Sequence, residues 1–242
     1  MAHFLEHMIF KGTDLIPPGL FDQIVENWGG VTNAATSHDY AHFFITTAVS
    51  YLADTLPYLA ELLLNASIPD DEFIRERDVV LEEIRQSQDN PDWLGFQALM
   101  ENIYQCHPYS RPVLGTEAHL HSHSPEEMRC FHSSYYQPEN MTVVIVGGVD
   151  RELTLELVTR SFAQFKSPSD CPQMEKKVAP QITQIRRQEL CLDRLEQARL
   201  IMAWTGPGVE NFRHAYGLDL LSVILAEGRS SRLVKELREE EQ

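Results

Sequence analysis

The chain has 242 residues, 43% hydrophobic and 23% charged, a composition that excludes intrinsic disorder and low-complexity fibres and leaves enough apolar side chains for a buried core. Its 20 Lys+Arg against 36 Asp+Glu give a net charge of −16, which argues against nucleic acid or anionic lipid as a partner. No apolar run approaches the ~20 residues of a membrane span and no signal peptide is visible, so a soluble chain without a membrane span is expected.

Residues 2–11 contain no breaker and stop at Gly12, which predicts a helix of about three turns. After Pro17-Pro18-Gly19, residues 20–28 put Leu20, Ile24 and Trp28 on one stripe of a second helix, ended by Gly29-Gly30. Residues 31–49, rich in Val, Thr, Phe and Ile, read as strands around a turn at Thr36-Ser37-His38-Asp39. An apolar helix over 51–66 precedes a long charged helix opened by Pro69-Asp70-Asp71, and Pro91-Asp92-Trp93 opens the next. Ser124-Pro125-Glu126-Glu127 carries a Ser cap, Pro at the first helical position and acids in the first turn. Met141 to Val146 reads as a buried strand and residues 151–165 as a helix. A linker over 167–181 is followed by a strand near 198–204 and a helix running from about 210 to the end. Alternating strands and helices place the chain in the α+β class. Cys106, Cys130, Cys171 and Cys191 lie far apart without a CxxC pair and read as reduced thiols of a reducing compartment, the cytoplasm or an organelle interior.

The informative string is His3-Phe4-Leu5-Glu6-His7. Histidines at i and i+4 share a helix face, so two imidazoles can converge on one ion, and Glu6 borders that face within reach of a water. This H-x-x-E-H order is the inverted zinc-peptidase motif, expected about 0.04 times by chance in such a composition. A catalytic zinc takes three protein ligands and keeps a position open. The long helix offers the third: Glu76 and Glu83 fall on or beside its apolar stripe of Phe73, Val80 and Ile84. Glu82 sits with Arg75, Asp78, Arg85 and Asp89 on a solvated face. A carboxylate on a core-facing stripe is costly unless something pairs with it. Spacing therefore favours Glu83 over Glu82 as ligand, with Glu76 orienting one of the ligands; the competing reading is a carboxylate satisfied by a nearby Arg.

With these strings, the sequence resembles the pitrilysin family of zinc metallopeptidases, which includes insulin-degrading enzyme and mitochondrial processing peptidase. The likeness also runs through Phe10-Lys11-Gly12-Thr13, Gly29-Gly30-Val31-Thr32-Asn33-Ala34-Ala35-Thr36, Glu76 to Ile84, His107-Pro108-Tyr109, Leu114-Gly115-Thr116, Tyr136 to Met141 and Ser230-Ser231-Arg232-Leu233. The resemblance implies one Zn²⁺ per chain on His3, His7 and Glu83. It implies Glu6 as catalytic base, Glu76 as the supporting catalytic glutamate seven residues upstream of the third ligand, and a peptide or unfolded protein as substrate, laid along Asn33, Ala34 and Ala35 as an added strand. The implied reaction is endopeptidase hydrolysis by a metal-activated water. The implied fold is a mixed, mainly antiparallel sheet with helices packed on it. Residues 1–166 would be the metal-bearing domain lacking its first strands, and 182–242 the start of a second, similar domain. The chain would thus be truncated at both ends, and the Arg and Tyr that the family contributes late in its second domain have no counterpart. Family members work as dimers or paired chains, some of them non-catalytic scaffolds, so a partner subunit or an inactive remnant is the rival reading.

Three further candidates stand apart from this set. His119, His121 and His123 would share a face if extended, or lie in a loop. His38 and His42 sit near the proposed substrate strand. Gly228-Arg229-Ser230-Ser231-Arg232 lacks the lysine of a phosphate loop. Phe10, Phe21, Phe43 and Phe44 read as core.

Overall fold

The computed structural model describes residues 1–163, 165, 172, 178–193 and 195–240. The linker expected over 167–181, Cys171 included, falls largely outside them. The chain divides into two compact units, Met1–Pro180 with Arg186–Ala198, and Gln181–Ile185 with Arg199–Gln242.

The first unit begins with α1 (Ala2–Ile9), α2 (Leu20–Asn27) and an antiparallel hairpin of β1 (Val31–Thr36) and β2 (Ala41–Thr46). Then follow α3 (Leu52–Asn65), α4 (Asp70–Asp89), α5 (Pro91–Tyr104), α6 (Glu117–Ser122), α7 (Pro125–Tyr135) and α8 (Arg151–Ser161). The second unit carries α9 (Phe212–Ala226) and a π-helical segment at Val234–Glu240. No described helix is long and apolar enough to cross a membrane.

α1 turns Phe4, Leu5, Met8 and Ile9 to one side and His3, Glu6 and His7 to the other, and a helix with such an apolar stripe packs it against the core. α1 lies between α4 and the hairpin, with Phe4, Leu5, Met8 and Ile9 fully buried. Phe4 meets Phe73 of α4 at a ring-centroid distance of 4.6 Å. Val25, Leu62, Ile68, Val80, Ile84, Leu120 and Met128 complete the core. The turn after α1 is held tightly. Gly12 has φ +94°, and a Cβ there would sit 2.3 Å from the Ile16 carbonyl oxygen, so only glycine fits. The Thr13 hydroxyl donates to Glu61 of α3 and accepts from the Ile16 amide, and the Ser67 amide and hydroxyl both donate to the Gly12 carbonyl. α7 starts with the expected Ser cap, elaborated into a capping box in which Ser124 and Glu127 bond reciprocally.

The sheet is smaller than the strand signals suggest. β1 pairs with β2 from Val31↔Thr46 to Thr36↔Ala41, and those two strands are the sheet among the described residues. Residues 141–146 and 198–204 form no strand, and Val144, Val146, Leu200 and Trp204 are exposed. A strand exists only through a partner's backbone, and among the described residues none pairs with either run. α9 stops at Ala226 instead of running to the end, because Gly228 turns the chain at φ +83°. Of the four aromatics expected in the core, Phe21 is buried, Phe10 and Phe43 pack against the core, and Phe44 points outward from β2. Cys106, Cys130 and Cys191 are exposed free thiols.

Candidate metal centre

α1 carries His3 and His7 one turn apart, their ring centroids 4.8 Å from each other. α4 runs past them and presents Glu76 and Glu83, seven residues and two turns apart on one face. The two carboxylates meet opposite ends of the His7 ring. Glu76 Oε1 lies 2.9 Å from Nδ1, and Glu83 Oε2 lies 3.6 Å from Nε2. Glu83 Oε2 is also 3.6 Å from His3 Nε2. One donor atom from each of His3, His7 and Glu83 thus falls within 4.8 Å of the other two. No second group of His, Cys, Asp and Glu converges in this way among the described residues.

The spacing has a physical meaning. At 3.6 Å the oxygen and the imidazole nitrogens are too far apart to hydrogen-bond, and buried Glu83 Oε2 has no hydrogen-bond partner. Burying an anionic oxygen unbonded between two imidazoles is unfavourable. Zinc held at 2.0–2.1 Å by tetrahedral donors separates those donors by roughly 3.4 Å. The two-nitrogen, one-carboxylate set therefore fits zinc in donor chemistry, and its two nitrogen–oxygen separations of 3.6 Å come close to that value.

The electrostatics favour the neutral donor form at His3 and the protonated form at His7, whose proton a metal would have to displace. Burial, reinforced by neighbouring His7, lowers the His3 pKa to about 4, so its ring is neutral near pH 7. His7 is pushed up instead, first by its hydrogen bond to Glu76 and against the effect of burial. Burial alone would raise the pKa of Glu76, but the hydrogen bonds from His7 and Lys11 outweigh it and keep the carboxyl low. Lys11, just past α1, pairs directly with Glu76 and stands 3.9 Å from Glu72. Glu82 is exposed and pairs with Arg85 at 3.3 Å.

Glu6 is half-buried, near enough for its charge to act on both histidines. Its Oε2 accepts a hydrogen bond from the Thr36 hydroxyl of β1. Tyr136 is held protonated by burial, with the charge of Glu6 adding to the effect. Thr36 stands in one of the strings that carry the resemblance but is given no role there. The signal that could have found it is strand alternation, which turns Thr32, Ala34 and Thr36 inward and leaves Val31, Asn33 and Ala35 exposed. Asn33, Ala34 and Ala35 lie side by side on β1, whose second edge has no strand partner among the described residues. The Asn33 side-chain oxygen accepts from the Ala34 amide at 2.9 Å.

The remaining histidines do not join the group. His119 and His121 lie on α6 and His123 caps its end, where a turn of about 100° per residue sends alternate side chains to different sides. His42 stacks on Phe44 of β2. His38, in the hairpin turn, reaches the Arg111 carbonyl at 3.3 Å and packs on Tyr109, whose hydroxyl donates to Asp39.

Residues 1–117 match the insulinase family, peptidase family M16, and residues 122–242 match the peptidase M16 inactive domain. The chain is 34% identical to the zinc protease PqqE of Helicobacter pylori, over 98% of this chain and 54% of that protein. It is 30% identical to an uncharacterized zinc protease of Rickettsia bellii, over 99% of this chain and 57% of the relative. It thus spans about half the length of the curated relatives it matches. Its structure superposes on that of a protease from Helicobacter pylori with a TM-score of 0.81 and 31% identity, covering 99% of this chain and 58% of the other. Pitrilysin shares the fold, with a TM-score of 0.63 at 22% identity over 74% of this chain and 20% of that one.

Proposed function

The chain belongs to peptidase family M16, and on that premise we propose that it is a zinc-dependent endopeptidase. Its ligands are His3, His7 and Glu83 and its general base is Glu6. The observation that carries this reading is the convergence of His3 Nε2, His7 Nε2 and an unbonded Glu83 Oε2 beside Glu6.

Zinc, when bound, supplies Lewis acidity that polarises the scissile carbonyl and lowers the pKa of water to about 7. The chain's own groups do the rest. Glu76 takes the His7 Nδ1 proton in a hydrogen bond, which orients the ring and commits Nε2 to the ligand position. Lys11 offsets the charge of Glu76. Glu6 takes the proton from the attacking water and delivers it to the leaving amine nitrogen. β1 receives an extended peptide along Asn33, Ala34 and Ala35, with the Asn33 amide able to exchange its Ala34 partner for the substrate backbone. The substrate class is a peptide or unfolded protein. A further family domain, in a dimer or a paired subunit, closes over it.

The test is zinc content and peptide cleavage of the purified chain beside two variants. The parent should hold about one zinc, a His3→Ala/His7→Ala double variant none, and Glu6→Gln should keep its zinc while cleaving at least about 100-fold more slowly. Cleavage by Glu6→Gln at the parental rate would sink the base assignment. A folded parent that takes up no zinc would sink the ligand set.

A further inference from the structure

β1 is placed to do two things at once. Its outward positions and open edge border the proposed peptide track, while its inward face meets α1 through Thr36 and Glu6. Resting on the reading of Glu6 as base, we infer that Thr36 is a positioning residue through which the peptide-docking strand sets the orientation of the base.

Three features make Thr36 suited to that task. As a β-branched residue it has few χ1 choices, so its hydroxyl goes where the strand puts it. The strand there is pinned on both sides. Thr36 pairs with Ala41 in the last rung of the hairpin, and the turn beyond it is closed by the Ser37 amide donating to the Tyr40 carbonyl at 2.8 Å. That turn is in turn moored to the 107–111 loop by Tyr109 donating to Asp39 and by His38 at the Arg111 carbonyl. The third feature is chemical. A glutamate carboxylate turns broadly about its last torsion, and a donor on Oε2 stops that rotation and leaves Oε1 to receive a proton. A peptide that adds to β1 lies along the same backbone and meets a base that Thr36 already holds in its working orientation.

The experiment uses the zinc-loaded full chain and a peptide hydroxamate, a chelating probe that passes its hydroxyl proton to a base carboxylate on binding. Its affinity therefore reads the orientation of Glu6 without turnover. Thr36→Val keeps the side-chain shape and removes the donor, and Thr36→Ser keeps the donor. Thr36→Val should bind the hydroxamate about tenfold more weakly, with zinc affinity, melting temperature and affinity for the same peptide lacking the hydroxamate unchanged. Thr36→Ser should stay within about twofold of the parent. Where the chain turns over, the Thr36→Val loss should fall on kcat and leave KM in place. If Glu6→Ala loses hydroxamate affinity and Thr36→Val does not, the role of Thr36 is overturned and the base stands. If Glu6→Ala binds as the parent does, the base reading fails and the inference fails with it. Loss of zinc or of the fold in Thr36→Val, or no rescue by Thr36→Ser, would assign Thr36 a merely structural role and overturn the inference.

Discussion

At the scale of single residues, three glutamates on one helix differ in what surrounds them. Glu82 is solvated and paired with Arg85, an exposed pair of little energetic weight. Glu76 is buried and saturated by His7 and Lys11. Glu83 keeps a buried oxygen without a hydrogen-bond partner, directed at two imidazoles. Competition against a chromophoric chelator should separate the three. Glu83→Gln should weaken zinc binding by at least about 100-fold and Glu76→Gln by about 10- to 100-fold, and Glu82→Gln should leave it unchanged. A loss for Glu82→Gln comparable with that for Glu83→Gln would contradict the assignment. Sequence spacing had already set Glu83 beside the apolar stripe. It carried no sign of the Lys11–Glu76 pair, which depends on how α1 packs on α4.

At the scale of elements, the turn at Gly12 decides how α1 is delivered to the core. Residues 10–13 end the helix, put Lys11 at Glu76 and tie the turn to α3 through Thr13 and Glu61. Gly12→Ala places a Cβ against the Ile16 carbonyl oxygen at a positive φ, so urea unfolding should report about 2 kcal/mol or more of lost stability. A variant as stable as the parent would show that the turn relaxes freely and does not fix α1. Elements with local signals were legible in advance: the Ser124 cap, the Pro starts at Pro91 and Pro125, and the glycine that follows α2, whereas α1 stops at Ile9 with Phe10 as its cap, before the expected Gly12. The runs at 141–146 and 198–204 were misread because an apolar, β-branched stretch states a preference for strand, whereas a strand is made by its neighbour.

At the scale of the whole molecule, the candidate centre joins the first helix to the middle of α4, whose ligands are 76 residues apart in sequence at His7 and Glu83. A metal bound by the folded chain and not by the unfolded one stabilises by mass action, about 2.7 kcal/mol at one hundred times its Kd. Zinc should accordingly raise the melting temperature of the parent and leave the His3→Ala/His7→Ala double variant where it was; equal shifts in both would mean that zinc binds elsewhere. By itself, the sequence determined the α+β class, most helix boundaries, the helical pairing of His3 with His7, and the family resemblance. The first three follow from periodicity, capping chemistry and spacing within a few turns, and the resemblance from short strings spread along the chain. Only the tertiary structure decided the small hairpin in place of a larger sheet, the two-sided clasp of Glu76 and Glu83 on His7, and the contact between Thr36 and Glu6. Each of these depends on which distant segment packs against which, a choice made by burial of apolar faces across the whole chain and not by any local run of residues.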